Sequence, residues 1–196
     1  MTIEEAIRHA LNGNAILFLG SGFCKGAINA AGRQFPLGGE LCSRMIKDGG
    51  IDVSEDSTED QNDCEYIAER YLETNQKMDL VRFLTREFTC ETCTKSHETI
   101  AAVNWKKIYT TNYDDVMELA SRRQRMTKRT SVTPETSLAD IAGARQAIIH
   151  MNGYVGNITE KNVVTTVKLT KGSYQLNNIQ DNDWAINLKA DIQTSK

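Results

Sequence analysis

Three short polar segments of this chain carry residues that could bind a ligand or take part in catalysis, and the first segment is a glycine-rich turn. Gly20-Ser21-Gly22 directly follows the apolar run 15–19. Glycines in such a place let backbone N–H groups come close to a phosphate, and a following helix N-terminus would add a favourable dipole. The turn departs from the dinucleotide fingerprint because Lys25 takes the third glycine position. A tight strand-to-helix turn explains the same glycines without a ligand.

The second segment is Thr110-Thr111-Asn112-Tyr113-Asp114, which follows a strand candidate at 107–110. Ligand sites of α/β proteins form at the carboxyl ends of parallel strands. An amide, a carboxylate and two hydroxyls at that place can hold a ribose, a carboxamide and a water molecule. A helix N-terminus is the alternative explanation, with Thr111 or Asn112 as the cap and acidic residues in the first turn.

The third segment is His150, which follows the apolar run 147–149 and precedes a turn that Gly153 makes flexible. Imidazole is the side chain best suited to proton transfer near neutral pH. A lone histidine is more often a hydrogen-bonded structural residue. Chemistry is favoured by the joint arrangement, because the ends of neighbouring parallel strands converge at one edge of a sheet and would share one cleft.

The elements that must position these segments follow from the apolar pattern. An amphipathic helix is predicted from Thr2 to Leu11, with Thr2 and Glu5 as a capping box. The wholly apolar run 15–19 is typical of a strand buried on both faces of a parallel sheet. Further strands are predicted at 107–110, 129–132, 147–150 and 163–169. Helices are predicted at 40–47, over two helices within 66–103, at 114–121 and at the end of the chain.

Strands that alternate with helices predict an α/β fold, a Rossmann-like doubly wound parallel sheet. The stretch 40–105 is too long for one crossover, so we expect an inserted helical subdomain within a single domain, 1–196. We expect the sheet to be incomplete at its C-terminal end and the chain to be part of a longer protein. The acidic run from Asp52 to Glu65 is poor in apolar residues and predicts a solvated loop.

Composition and charge exclude several classes of function. The chain has 23 basic and 26 acidic residues and a net charge of −3, which argues against general nucleic-acid binding. No apolar run is long enough to span a bilayer, and the first residues lack a signal-peptide pattern. We therefore expect a cytoplasmic protein that does not enter membranes. Five scattered cysteines, an odd number, favour free thiols over a disulfide framework.

One cysteine pair has the spacing of a zinc site. Cys90 and Cys93 are separated by two residues, and His97 is the only histidine nearby. Four ligands cannot be assembled from this set. We therefore expect no bound metal.

Taken together, the three polar segments resemble the motifs of the sirtuin superfamily. The family's Gly-Ala-Gly-x-Ser corresponds to Gly20-Ser21-Gly22-Phe23-Cys24, and its Thr-x-Asn-x-Asp corresponds to 110–114. Its catalytic histidine, which a glycine follows closely, corresponds to His150-Met151-Asn152-Gly153. The segments 35–38 and 168–174 resemble supporting parts of the family pattern. The resemblance spans roughly residues 14–188.

Within that superfamily the chain looks most like the bacterial sirtuin-like domains of anti-phage defence systems, such as the Thoeris effector. The resemblance implies an NAD glycohydrolase that cleaves NAD to nicotinamide and ADP-ribose without a metal, as an abortive-infection effector. It implies a homo-oligomer or a defence-system partner protein. Asn112 and His150 would be the catalytic pair, with Asp114 holding the ribose or Asn112. NAD would contact Gly20, Ser21, Gly22, Phe23, Cys24, Thr110, Thr111, Asn112 and Asp114.

Two other functions fit the same motifs. Cys24 stands where the family prefers serine, which favours a module that senses NAD or ADP-ribose without turnover. The third function is an NAD-dependent protein deacylase. Deacylases of the superfamily carry two zinc-binding cysteine pairs after the catalytic histidine, and the only pair here precedes the second motif. Release of nicotinamide from NAD separates the hydrolase from the sensor.

Overall fold

The computed structural model of the chain describes residues 2–125, 129–137, 146–170, 172–173 and 183–194. Its strands are β1 (Ile16–Leu19), β2 (Ile28–Asn29), β3 (Cys90–Thr92), β4 (Lys107–Thr110), β5 (Ser131–Val132) and β6 (Ile148–His150). A parallel sheet has the order β1-β4-β6-β5, and β2 pairs antiparallel with β3. The sheet and its helices confirm the predicted α/β class, a Rossmann-like fold with parallel strands.

The helices are α1 (Ile3–Leu11), α2 (Gly38–Gly49), α3 (Thr58–Asn62), α4 (Cys64–Thr74), α5 (Lys77–Phe88), α6 (Lys95–Ala101), α7 (Val116–Arg123), α8 (Val163–Thr166) and α9 (Asp183–Thr194). The helices α2 to α6 lie between β1 and β4 in the chain. The predicted capping box of Thr2 and Glu5 begins α1. Among the described helices, none is long and apolar enough to cross a bilayer. Lys171 and Tyr174, which belong to one segment of the family pattern, lie outside the described residues.

The first strand is not buried on both faces, so that prediction is wrong. Within the part of the chain that the structure describes, β1 is at the edge of the sheet and pairs only with β4. Phe18 is 55% exposed, whereas Leu19 is buried. The apolar residues of α1 do not cover this face, because α1 buries none of its residues. An apolar run therefore identified the strand here, but it did not report its position in the sheet.

The predicted strand at 163–169 is also wrong, because α8 occupies its first half. Valine and threonine favour strands through their branched side chains. Here the backbone N–H groups of Thr165 and Thr166 both donate to the carbonyl of Asn162. Val163 and Thr166 are both buried, and a spacing of three residues places them on the same side of a helix. Tertiary packing thus decides the local structure against propensity.

The acidic run forms the predicted loop only from Asp52 to Ser57, because α3 and α4 begin within its second half. Ser57 Oγ accepts a hydrogen bond from Asp60 N at the start of α3. Asp63 Oδ1 accepts from the backbone N–H groups of Glu65 and Tyr66 at the start of α4. Carboxylates at these positions satisfy free N–H groups and complement the helix dipole. The acids therefore mark helix termini.

The prediction of free thiols is wrong for two of the cysteines. Cys42 on α2 and Cys64 on α4 form a disulfide, with their Cα atoms 5.2 Å apart. Cys24, Cys90 and Cys93 are free. The odd count of cysteines could not reveal this bond, because pairing depends on the packing of α2 against α4.

A buried carboxylate holds the helical segment between β1 and β4 together. Glu87 on α5 is completely buried, and the side chains of Arg33, Arg44 and Arg86 converge on it. Asn29 on β2 donates to the same carboxylate. Burial alone would raise the pKa of Glu87, but Arg33 and Arg44 outweigh it and lower the pKa. The cluster thereby fixes α2, α5 and β2 relative to each other.

Candidate functional site

The structure brings the three polar segments to one edge of the sheet. In the register of the parallel strands, Leu19 is the partner of Thr110, and Thr110 is the partner of His150. The residues after these positions therefore leave neighbouring strands on the same side. A direct contact joins the first two segments, because Asn112 Nδ2 donates to the carbonyl of Gly20 at 3.0 Å. The convergence that the sequence predicted is present.

The glycine turn has an unexpected local structure. Residues Ser21–Cys24 form a 3-10 helix, and β2 follows them, so the expected α-helix dipole does not stand directly behind the turn. Gly20 has a φ of −121°, which any residue adopts. A Cβ atom at Gly20 or at Gly22 would meet no atom within 4 Å. The fold itself does not require glycine at either position, and the space in front of them is open.

A cavity of about 400 Å³ lies beside this turn, within the usual size of small-molecule sites. Of the residues expected to contact NAD, Ser21, Cys24, Thr111, Asn112 and Asp114 line it. Its remaining wall comes from α2 and the two residues before it, the start of α4, the end of α5, the second polar segment and the segment after α8: Pro36, Leu37, Gly38, Leu41, Asp63, Cys64, Glu65, Phe88, Tyr113, Lys168 and Leu169. The expected residues that do not line this cavity are Gly20, Gly22, Phe23, Thr110 and His150.

Asp114 is a buried carboxylate at the wall of this cavity. It is 5% exposed, and its Oδ1 accepts a hydrogen bond from the backbone N–H of Val116, the first residue of α7. Burial raises the pKa of Asp114 to about 7, and the nearby charge of Glu118 adds to the rise, although the Val116 N–H and His150 oppose it. The N-cap position of α7 is Asp115, so neither Thr111 nor Asn112 caps the helix, and Asp114, the residue before the cap, accepts from the first helical N–H. Near neutral pH this carboxyl can both hold and release a proton.

His150 is 1% exposed and has partners on both ring nitrogens. Nδ1 lies 2.9 Å from the carbonyl oxygen of Asn112, and Nε2 lies 2.8 Å from Oε1 of Glu118. The ring of Tyr154 packs beside the imidazole at 4.3 Å between centroids. Burial by itself would lower the pKa of His150, but the charge and hydrogen bond of Glu118 raise it overall. Since both partners are acceptors, the arrangement suits an imidazolium that donates from both nitrogens.

Glu118 is the site residue that sequence analysis missed. Its Oε1 also accepts from the hydroxyl of Ser131 at 2.6 Å. Its Oε2 is buried and has no hydrogen-bond partner among the residues that the structure describes. Although burial favours its neutral form, the charge of His150 lowers the pKa of Glu118. The available signal was a carboxylate next to Met117 and two positions before Ala120, inside the apolar stripe of a short helix.

The thiols of Cys24 and Cys90 and the imidazole of His97 lie in other local environments. Burial, together with the charge of Asp114, raises the pKa of Cys24 to about 12, and the Cys24 thiol donates to the carbonyl of Ser21. Burial likewise raises the pKa of Cys90 to about 12. His97 Nε2 lies 2.5 Å from the carbonyl oxygen of Phe23, and its Nδ1 accepts from Thr94 N. Within the described ranges, no group of three His, Cys, Asp or Glu side chains could hold a metal ion.

Fold and site together define a Rossmann-like α/β domain with a cavity at the carboxyl edge of its parallel sheet. Residues 106–195 match the family model of the SIR2-like domain. The match covers the second and third polar segments but not the glycine turn. It supports the sirtuin-like resemblance, and because SIR2-like domains use NAD, it supports an NAD-related activity in general terms. The curated proteins contain no match to this sequence.

Proposed function

We propose that this chain binds NAD across the carboxyl edge of its sheet and hydrolyses the bond between nicotinamide and ribose. The observation that carries the proposal is the open glycine turn joined to Asn112. Gly20 and Gly22 are not needed by the fold, and glycine in a structured turn costs about 0.5–1 kcal/mol relative to alanine. Close approach of a ligand explains their presence. The diphosphate of NAD would lie against the turn, with the nicotinamide ribose beside Asn112 and Asp114.

Asn112 would orient the ribose or the attacking water. Its Nδ2 donates one hydrogen to the carbonyl of Gly20, so its Oδ1 and its second N–H are left for a ligand. That oxygen accepts a hydrogen bond, and therefore it suits a ribose hydroxyl or a water molecule. Cleavage of a glycosidic bond builds positive, oxocarbenium-like charge on the sugar. Asp114 at the cavity wall would hold the ribose, and its ionised form would stabilise that charge.

His150 would act as the base toward water or a ribose hydroxyl. This role requires that Nδ1 leave the carbonyl of Asn112 and give up its proton when the ligand binds, while Nε2 stays on Glu118. A carboxylate behind the second nitrogen is the arrangement that orients a histidine base.

A second candidate function is a sensor that binds NAD or ADP-ribose without cleaving it. The observation in its favour is that His150 is buried and engaged on both nitrogens, with Cys24 in place of serine in the turn. Incubation of the purified chain with NAD, followed by chromatography for nicotinamide and a thermal melt with NAD, separates the two. Released nicotinamide supports the hydrolase. A raised melting temperature without released nicotinamide supports the sensor. If neither nicotinamide release nor a raised melting temperature is seen, both functions are refuted.

We further propose the biological setting that the resemblance implies, an anti-phage effector that acts as a homo-oligomer or with a defence partner. Ile3, Ile7 and Leu11 on α1 are 77%, 54% and 62% exposed, and this apolar face supports burial against a second copy. We also propose that residues about 40–105 form an inserted helical subdomain. Sedimentation velocity of the chain and of its Ile7→Glu variant tests the assembly, because the variant should remain monomeric where the parent associates.

A further inference from the structure

A buried lysine lines the cavity beside the glycine turn. Lys168 is 2% exposed, and it belongs to the same wall as Asn112 and Asp114. Its backbone is held on both sides, because its N–H donates to the carbonyl of Asn152 and its carbonyl accepts from the hydroxyl of Tyr113 at 2.6 Å. The position of Lys168 is therefore fixed by β6 and by the second polar segment, at the edge of the sheet where the ligand is proposed to bind.

The ammonium group of Lys168 has no ion-pair partner among the described residues. Other lysines pair directly: Lys95 with Glu98, and Lys107 with Asp191. For Lys168 the only carboxylate that acts on its titration is Glu135, through its charge alone, and burial outweighs it and lowers the pKa of Lys168. A buried ammonium without a direct ion pair is unfavourable. At the wall of a cavity, such a group can pair with the negative charge of a ligand.

The charges around the cavity favour one position for an anion. Asp63 and Glu65 line the part of the wall that belongs to the start of α4. An anionic group would be repelled there and attracted toward Lys168 and the open glycine turn. Asp114 also lines the cavity, but it repels an anion less because burial raises its pKa to about 7. Aliphatic neighbours of the lysine, such as Leu169, keep this part of the wall poor in water, which strengthens a charge-assisted hydrogen bond.

We propose that Lys168 is the cationic subsite of this cavity and that it pairs with a phosphate group of a nucleotide diphosphate. The proposal rests on the proposed function, since it assigns the counter-charge of the NAD diphosphate. It adds a residue of the segment after α8 to a site whose anion contacts were otherwise backbone groups of the turn. It also explains why a lysine stands between Val167 and Leu169, both of which are buried in the apolar core.

Calorimetric titration of the parent chain and of Lys168→Met with inorganic pyrophosphate, ADP-ribose, NAD and nicotinamide riboside tests this subsite. Loss of a charge-assisted hydrogen bond should weaken the three phosphate compounds by roughly 10- to 100-fold. Nicotinamide riboside, which has no phosphate, should bind both chains equally. Lys161→Met is the matched control, because Lys161 is exposed and its loss changes the net charge equally. Lys168→Met should melt at the same or a higher temperature, since methionine removes an unpaired buried charge.

Each outcome separates the subsite from the proposed function. Equal binding of the phosphate compounds to both chains would overturn the subsite and leave NAD binding intact. Pyrophosphate binding that depends on Lys168, without NAD binding, would keep the subsite and refute the NAD site. No binding of any phosphate compound to the parent chain would refute both. A lower melting temperature with weaker binding of nicotinamide riboside would make Lys168 a structural residue.

The parent chain alone gives a second measurement if Lys168→Met does not fold. The ¹³Cε chemical shift of Lys168 can be followed against pH with and without pyrophosphate. Pairing with an anion stabilises the charged ammonium, so the pKa of Lys168 should rise on binding. An unchanged titration in the presence of saturating pyrophosphate would overturn the subsite.

Discussion

Replacement of Gly22 by alanine tests the glycine turn most directly, because it should raise the stability of the fold and lower the affinity for the ligand. A Cβ atom at this position meets nothing within 4 Å, and the backbone is outside the left-handed region. Alanine should therefore stabilise the folded chain by about 0.4–1 kcal/mol, through the reduced entropy of the unfolded chain. For a chain of this size the melting temperature should rise by roughly 1–4 °C.

The same substitution should weaken NAD binding. The methyl group would occupy the space through which a phosphate reaches the backbone N–H groups, and one lost charge-assisted hydrogen bond corresponds to roughly a 10- to 100-fold loss of affinity. Calorimetric titration with NAD and a thermal melt on the same sample measure both effects. Gly20→Ala should behave in the same way, since its surroundings are equally open.

Gly153→Ala is the contrasting control. Gly153 has a φ of +103°, and a Cβ atom there would clash with the carbonyl oxygen of Thr166. This variant should lose about 1–3 kcal/mol of stability through overpacking and strain. Unchanged NAD affinity in Gly22→Ala would refute the reasoning about the turn, and a lowered melting temperature in that variant would show that the fold needs the glycine.

Four further predictions concern the network around the cleft and the disulfide. Asn112→Ala should slow nicotinamide release by at least about 100-fold through loss of orientation, with little change in melting temperature; near-normal release would exclude Asn112 from catalysis. His150→Ala should abolish release and also lower stability by about 3–5 kcal/mol, because Glu118 is left as an uncompensated buried charge; a folded, active variant would make the histidine dispensable. The His150 pKa is raised and the Glu118 pKa is lowered in the folded state. The stability from this pair should therefore be fully present between the two unfolded pKa values, near 4.5 for Glu118 and 6.5 for His150. It should be lost as pH rises through the folded pKa of His150 or falls through the folded pKa of Glu118. Chemical denaturation at a series of pH values measures this dependence. Reduction should lower the free energy of unfolding by about 3 kcal/mol, because the Cys42–Cys64 bond closes a 22-residue loop; a melt unaffected by dithiothreitol, or an equal effect in Cys42→Ser, would exclude that contribution.

The sequence predicted the central strands well because their apolar runs coincide with full burial. Ile108, Ile148 and Ile149 are completely buried in neighbouring parallel strands, and this environment permits little else. The capping box of α1 was equally predictable, since it depends on residues three apart. The edge position of β1 could not be predicted, because the identity of Phe18 does not say which strands flank it.

The parts that sequence analysis missed depend on contacts between distant residues. Glu118 acts through His150, 32 positions later, and only the packing of α7 on β6 brings them together. The disulfide depends in the same way on α2 meeting α4. The segment at 163–169 was misassigned because local propensity was taken as decisive where core packing favours a helix.

The contact between Asn112 and Gly20 means that the first two motifs cannot evolve independently. Gly20 directly follows the edge strand β1, and its carbonyl accepts from the side-chain amide of Asn112 and from the backbone N–H of Phe23. A lineage that replaced Asn112 by aspartate would keep an oxygen for the ligand but set a negative charge against that carbonyl. The turn would then shift together with the ribose site. Descendants that lose catalysis through position 112 should therefore also lose the geometry for phosphate binding, whereas losses that begin at His150 leave the turn in place.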